Sequence, residues 1–391
     1  MDFEFTEEQN LLAEAVGKFM TTRYGSEARR AEHKTPGSWS QEVWQRLADM
    51  GLLAVLVPTE QGGLGGGPVE VMLAMNAFGA GLLLEPYWSS AVLATALVRE
   101  LGGPNAARLL EGLATGRRIA AVAHAEPSSR YDLDAVRAAA RKTPEGWVLS
   151  GSKSVVLGAG AADTLLVSAR TGGGEDGLSV FAVPCRSEGV RLREYPTIDR
   201  RGAADVTFDD VRVGADALLG NESAARAALL DAHDIGLAAL CADAVGCMKA
   251  LLDATARYLQ TREQFGQPIG KFQALQHRVA DMSIHFEQAK SMAYLAAMKC
   301  ESPDPTDRRK ALSAAKVVVG QAARYVGQQA VQLHGGMGMA DELDVAHHFR
   351  RLTAFELTLG DTDHHLQRFA AATFSPASTA AVGGSGLRPR T

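Results

Sequence analysis

The sequence predicts an α+β protein in three parts: an N-terminal helical domain, a central antiparallel β domain and a C-terminal four-helix bundle. Three observations carry that prediction. Apolar residues recur at helical spacing over residues 1–118 and again over 224–374. Between them, over 119–223, short apolar runs are separated by Gly, Pro, Ser and Asp. No helix of crossover length divides these runs, which argues against a parallel nucleotide-binding sheet. The third observation is length: 391 residues suit two or three domains of roughly 150 residues each.

In the N-terminal part, Thr6-Glu7-Glu8 opens a helix with Thr6 as N-cap, and Leu11, Leu12, Ala15, Val16 and Phe19 follow at helical spacing. A second helix runs through Trp39, Val43, Trp44, Leu47 and Met50 and closes at Gly51, a residue suited to the turn that ends helices. Gly62 to Gly67 is too glycine-rich for regular structure and follows no βαβ unit, so it does not read as a phosphate loop. Helical patterns then resume from Val69 to about Leu113.

The strand-like runs begin at Ile119–Ala123 and continue with Trp147–Leu149, Ser154–Leu157, Thr164–Val167 and Leu178–Val183. Val190–Leu192, Ala204–Phe208 and Val211–Val213 complete the β domain. From about Ala224 to Ala372 the helical period returns in long segments, interrupted at Ser302-Pro303-Asp304-Pro305. Residues 375–391, rich in Pro, Ala, Ser and Gly, read as a disordered tail.

Composition narrows the function classes. Hydrophobic residues at 46% and charged residues at 22% allow a sizeable core. A net charge of −5 provides no basic field for nucleic acid or an anionic membrane surface. No apolar stretch reads as long enough to cross a membrane, and the acidic start Met1-Asp2-Phe3-Glu4-Phe5 is unlike a secretory leader. Four cysteines without a C-x-x-C pair fit reduced thiols, so the expected location is the cytoplasm. The forty glycines suggest close-packed helices and places where backbone approaches a ligand.

The most informative segment runs from Tyr258 through Thr261-Arg262-Glu263-Gln264-Phe265-Gly266 to Gln276, out of one helix and into the next. A guanidinium at a helix end beside a glycine turn suits a diphosphate, because a planar fork of donors meets accessible backbone N–H groups. By pattern alone, an ordinary helix–turn–helix with a surface arginine fits equally. The histidine pairs His347-His348 and His364-His365 lack the i, i+4 spacing of a zinc helix, so no metal site is expected.

The Arg262 segment closely resembles the flavin-contacting signature of the acyl-CoA dehydrogenase family. Gln332-Leu333-His334-Gly335-Gly336-Met337-Gly338 is similar to that family's Gln-x-x-Gly-Gly-x-Gly. Thr6-Glu7-Glu8-Gln9 and Pro58-Thr59-Glu60-Gln61-Gly62-Gly63-Leu64-Gly65 resemble its first helix and a later loop. The resemblance spans nearly the whole chain in order. It implies FAD as cofactor, an acyl-CoA substrate and an electron acceptor. It also implies that Arg262 and Phe265 contact the FAD of a neighbouring subunit, with Gln332, Gly335 and Gly336 lining the diphosphate.

The departures from the family pattern are specific. The strand resembling Thr-Glu-Pro-x-x-Gly-Ser-Asp reads Ala125-Glu126-Pro127-Ser128-Ser129-Arg130-Tyr131-Asp132, and the Trp-Ile-Thr/Ser run reads Val155-Val156-Leu157. Both remove hydrogen-bonding groups from the flavin's reactive edge. A CoA-side Asp–Arg pair aligns with Asp234 and Leu237. The family's catalytic carboxylate, which removes the thioester α-proton, aligns with Asp361 or with Gly360 depending on where the extra residue is placed. Asp361 is better suited to cap the helix that follows. The alternative base position aligns with Gly236.

Ala80–Tyr87 and Gly360–His365 resemble a branch whose members are small subunits of heteromeric acyl-CoA dehydrogenases acting on dicarboxylyl, steroid side-chain or other bulky thioesters. The expectation is a subunit of a heterotetrameric, FAD-dependent acyl-CoA dehydrogenase whose partner subunit carries the complete site. Two alternatives stay open: a self-sufficient homo-oligomeric dehydrogenase or oxidase using Asp361 as base, and a non-catalytic subunit that completes a partner's FAD site.

Overall fold

The computed structural model describes residues 5–172 and 177–374; the tail expected over 375–391 lies outside them. The N-terminal helices are α1 (Glu7–Thr22), α2 (Ser26–Glu32), α3 (Gln41–Asp49), α4 (Pro68–Gly81), α5 (Thr95–Leu101) and α6 (Pro104–Ala114), with a π-helical segment, Tyr87–Ala94, leading into α5. Thr6 caps α1 in a reciprocal box: its hydroxyl accepts the Gln9 amide at 3.2 Å and the Gln9 side chain accepts the Thr6 amide at 3.0 Å. After α3, Gly51 takes φ +76°, the left-handed turn its position suggested.

The β domain is one sheet built from β1 (Ala120–Ala123), β2 (Ala139–Thr143), β3 (Gly146–Leu157), β4 (Thr164–Arg170), β5 (Leu178–Pro184), β6 (Val190–Pro196), β7 (Gly202–Gly214) and β8 (Leu218–Leu219). Its order is β6-β7-β3-β2-β4-β5-β8, with β1 beside β4. Pairing is antiparallel except for β1 on β4 and a single β2–β4 bridge. Trp147 and Phe181 meet edge-to-face across the buried side, 5.2 Å between centroids.

The C-terminal helices are α7 (Arg226–Thr261), then a short hairpin of β9 (Glu263–Gln264) and β10 (Gln267–Pro268), then α8 (Gln273–Lys299), α9 (Pro305–His334), α10 (Asp344–Leu357) and α11 (Thr362–Phe374). The break at Ser302–Pro305 works locally: Asp304 accepts the Thr306 amide at 2.9 Å and Pro305 fills the first helical position. Helix α7 corrects one expectation. By length and composition it could cross a membrane, yet 83% of its most apolar window is buried inside the protein. It is a core helix, its most apolar stretch buried by the elements packed around it.

Close approach of backbones explains part of the glycine content. Where α4 crosses α7, a Cβ on Gly79 would sit 2.0 Å from the Asp243 carbonyl oxygen, and one on Gly246 would sit 1.9 Å from that of Asn76. A buried ionic cluster joins the three parts. Arg351 of α10 reaches Asp199 of the β domain at 2.7 Å, Asp243 of α7 at 3.3 Å and the Leu83 carbonyl at 2.8 Å. Arg201 meets the same Asp199 carboxylate at 2.6 Å. Burial works against the Asp199 charge, but the two guanidinium groups outweigh it and hold its pKa below the usual range.

Candidate active site

Between the sheet and the C-terminal helices lies a largely apolar cavity of about 690 Å³. Its floor comes from the loop after β1 and from β3. At a bulge in β3, Val155 takes φ +52°, its amide donating to Asp205 Oδ1 at 3.1 Å. A β-branched residue in the left-handed region is strained, on the order of 1–3 kcal/mol. The strain places a half-exposed valine at the cavity floor.

Beneath the floor runs a buried polar chain. Lys153 Nζ donates to Glu126 at 2.9 Å, to the His124 carbonyl at 3.0 Å and to Ser168 Oγ at 3.1 Å. Glu126 also accepts the amides of Arg137 and Ala138, each at 2.9 Å. Burial pushes the Lys153 ammonium down to about 8, opposed by Glu126. Ser168 Oγ, which accepts from Lys153, is also hydrogen-bonded to His124 Nδ1 at 2.9 Å.

One wall is α7. His233 Nδ1 lies 2.9 Å from the Leu229 carbonyl, which can only accept, so Nδ1 carries the proton and Nε2 the lone pair. Its ring meets His124 edge-to-face at 5.6 Å, and burial lowers its pKa to about 4. One residue on, Asp234 is held by Arg308 at 2.9 Å and Arg309 at 3.3 Å, both from α9. Leu237 is buried in the same wall.

The opposite wall is the turn between α10 and α11. Leu359 and Gly360 both have positive φ, +58° and +112°. A Cβ on Gly360 would lie 2.6 Å from His365 Nε2. The buried His365 ring holds the turn, Nε2 donating to the Leu359 carbonyl at 2.9 Å. Lys316 Nζ caps the end of α10 through the carbonyls of Phe355 and Glu356, at 2.7 and 3.2 Å.

Asp361 follows this turn. Its Oδ1 accepts the His364 amide at 2.8 Å and its Oδ2 lies 3.8 Å from Arg130. It lines a second, polar cleft of about 750 Å³, together with Arg130, Arg226, Arg309 and Arg368, and does not line the apolar cavity. The Gly236 position is closed: Trp88 Nε1 donates to the Gly236 carbonyl at 2.9 Å, and a Cβ there would come within 3.0 Å of Leu93.

The remaining expected site residues form a separate face. Arg262 ends α7 with its side chain exposed, and Phe265 is 90% exposed. Gln332, Gly335 and Gly336 are exposed at the end of α9, with nothing within 4 Å of a Cβ built on either glycine. Tyr258 stacks on His334 at 4.4 Å, which joins the two helix ends into one surface. None of these five residues lines the cavity or the cleft. A fork of guanidinium donors, an open glycine pair and an exposed ring are a donor set that fits a dinucleotide diphosphate. His233, by contrast, was not among the residues sequence reasoning selected; its only signal is a place one turn before Gly236, on the same helix face.

Comparison with known proteins covers the described chain. Family profiles match acyl-CoA dehydrogenase, N-terminal domain, over 6–117, middle domain over 121–211 and C-terminal domain over 231–374. A probable acyl-CoA dehydrogenase of Bacillus subtilis, YngJ, is 29% identical over 95% of this chain and 99% of its own. Among solved structures, the Tcur3481–Tcur3483 steroid ACAD variant superposes with a TM-score of 0.85 at 30% identity, covering 96% of this chain and 99% of that one. The ChsE4–ChsE5 complex from Mycobacterium tuberculosis gives 0.86 at 26%, covering 96% and 100%.

Proposed function

The chain belongs to the acyl-CoA dehydrogenase family, FAD-dependent oxidoreductases acting on CH–CH bonds, and on that footing we propose that it works as one subunit of a heteromeric enzyme that introduces an α,β double bond into an acyl-CoA thioester. The observation that carries the pairing is the separation of the two faces. Arg262, Phe265, Gln332, Gly335 and Gly336 form an exposed surface apart from the chain's own cavity, so they are suited to hold the ADP half of FAD bound by a neighbouring subunit. Two of the similar solved structures are themselves named as pairs, ChsE4–ChsE5 and Tcur3481–Tcur3483.

Bound FAD supplies the two-electron acceptor for the reaction, and a separate electron acceptor completes the cycle. The chain's own residues supply the surroundings. Trp88, Leu93 and Leu237 offer an apolar wall for an acyl chain. In the polar cleft Arg226 is committed to Asp134, at 2.6 and 2.7 Å, while the exposed Arg130, 3.8 Å from Asp361, offers a cation to an anionic CoA group. Four unpaired cysteines support the cytoplasm as its compartment.

The test is to purify the chain alone and together with a second acyl-CoA dehydrogenase-like subunit encoded beside it. The paired preparation is expected to carry the flavin and the activity. Full flavin and activity in the lone homo-oligomer would sink the two-subunit reading. That outcome belongs to a second reading, a homo-oligomer serving its own cavities, which the open volume of this cavity favours.

A further inference from the structure

Nearly every titratable group around the apolar cavity is already engaged. Glu126 is bound to Lys153 and two backbone amides. Asp199 is bound to Arg201 and Arg351, and Asp234 to Arg308 and Arg309. His124 uses Nδ1 on Ser168. Asp361 faces the polar cleft and caps α11, and the Gly236 position has no room for a carboxylate. His233 is different. Its proton is fixed on Nδ1 by the Leu229 carbonyl, and its Nε2 lone pair has no hydrogen-bond partner among the described residues.

We propose that His233 Nε2 is the proton acceptor of this chain's own cavity, taking a proton from the carbon α to a thioester carbonyl. The inference rests on the family reading for its substrate class and is independent of subunit pairing. The C–H bond breaks, the proton passes to Nε2 to give an imidazolium, and the electron pair stays with the substrate as the enolate, its charge on the thioester oxygen. No oxidant enters this step. Burial supports the role by keeping the ring neutral, and so able to accept, across the physiological range. The groups that face the ring are His124 from the loop after β1, Asp234 on α7 with its α9 arginines, and Arg368 from α11. Arg368 lowers the ring's proton affinity, and it lines the same cavity with no hydrogen-bond partner among the described residues, where it can face an enolate oxygen.

The experiment follows deuterium uptake from D2O at the α-carbon of butyryl-CoA by mass spectrometry, with no electron acceptor present. It uses the full-length chain and, in parallel, its assembly with the second subunit. Wild type is expected to exchange, and His233→Gln to exchange at least about 100-fold more slowly, the scale of a positioned general base. Binding of butyryl-CoA, read by calorimetry, is expected to be kept. Added imidazole should restore exchange to His233→Gly, which a merely structural role would not allow. Exchange at the wild-type rate in His233→Gln overturns the proposal, as does exchange abolished by Asp361→Asn but not by His233→Gln. Bound thioester that wild type fails to exchange also overturns it, while co-purification judges the pairing separately. If butyryl-CoA binds neither preparation, the acyl-CoA reading of the cavity and this proposal fall together.

Discussion

The Asp361 carboxylate accepts the His364 amide at 2.8 Å, which makes this acid the N-cap of α11. The cap satisfies an amide that the first helical turn would otherwise leave unpaired. Asp361→Ala is therefore expected to cost about 1 kcal/mol of stability, and Asp361→Asn, a good cap itself, only a few tenths. Thermal melts of the two variants decide the point. Equal losses in both would mean that capping is not what this carboxylate does.

The exposed Arg262 face predicts a loss of flavin without a loss of fold. Arg262→Ala removes a donor from an exposed side chain. The flavin-to-protein ratio of the assembly is expected to fall, with circular dichroism unchanged. A fully occupied Arg262→Ala assembly would count against this face as a flavin contact.

Lys153 and Glu126 form a buried pair at 2.9 Å. Removing one partner leaves an uncompensated buried charge, so Lys153→Met is expected to destabilise by about 3–5 kcal/mol. The double variant Lys153→Met, Glu126→Leu should recover part of that loss. Denaturant unfolding of both measures it, and a double variant worse than the sum of the singles would contradict the argument.

Acid should unfold the protein earlier than its carboxylates alone require. Burial depresses both His348 and His365 to about 3. In the unfolded chain these rings bind a proton near 6.5, so below that pH the unfolded state takes up more protons than the folded one. The stability they confer is fully present above about 6.5 and is lost as pH falls toward their folded values, at up to roughly 1.4 kcal/mol per pH unit for each ring. His348 Nδ1 is buried with no hydrogen bond among the described residues. His348→Phe should therefore be neutral or stabilising at pH 7 and flatten the fall between pH 6 and 4, as melting temperatures across that range would show. An unchanged slope would place the acid sensitivity elsewhere.

Several elements could be read directly from neighbouring residues. Thr6 with Gln9, Gly51 after Met50 and Asp304 before Pro305 specify caps and stops within a turn of chain, and the structure forms them there. Strand β2 gave no such signal: Ala139-Ala140-Arg141-Lys142-Thr143 has one buried residue, Ala140, and is held in the sheet by β3. Helix α7 shows the opposite limit. Its composition is that of a membrane span, and only the helices packed around it make it a core element.

Short motifs marked the Arg262 and Gln332 elements as helix ends, because a helix end, a turn and a glycine pair are local features. The sequence by itself determined the family and the order of the three parts. Tertiary structure decided which side chains remain available. Asp361 and His233 lie 128 positions apart by their numbering. One is engaged by an amide three residues on and faces the polar cleft, while the other keeps a lone pair without a partner among the described residues, beside the apolar cavity. That difference depends on burial and on partners brought from distant segments, such as the Arg308 and Arg309 that neutralise Asp234. Burial and long-range pairing set protonation, and neither is encoded in any stretch of sequence short enough to be a motif.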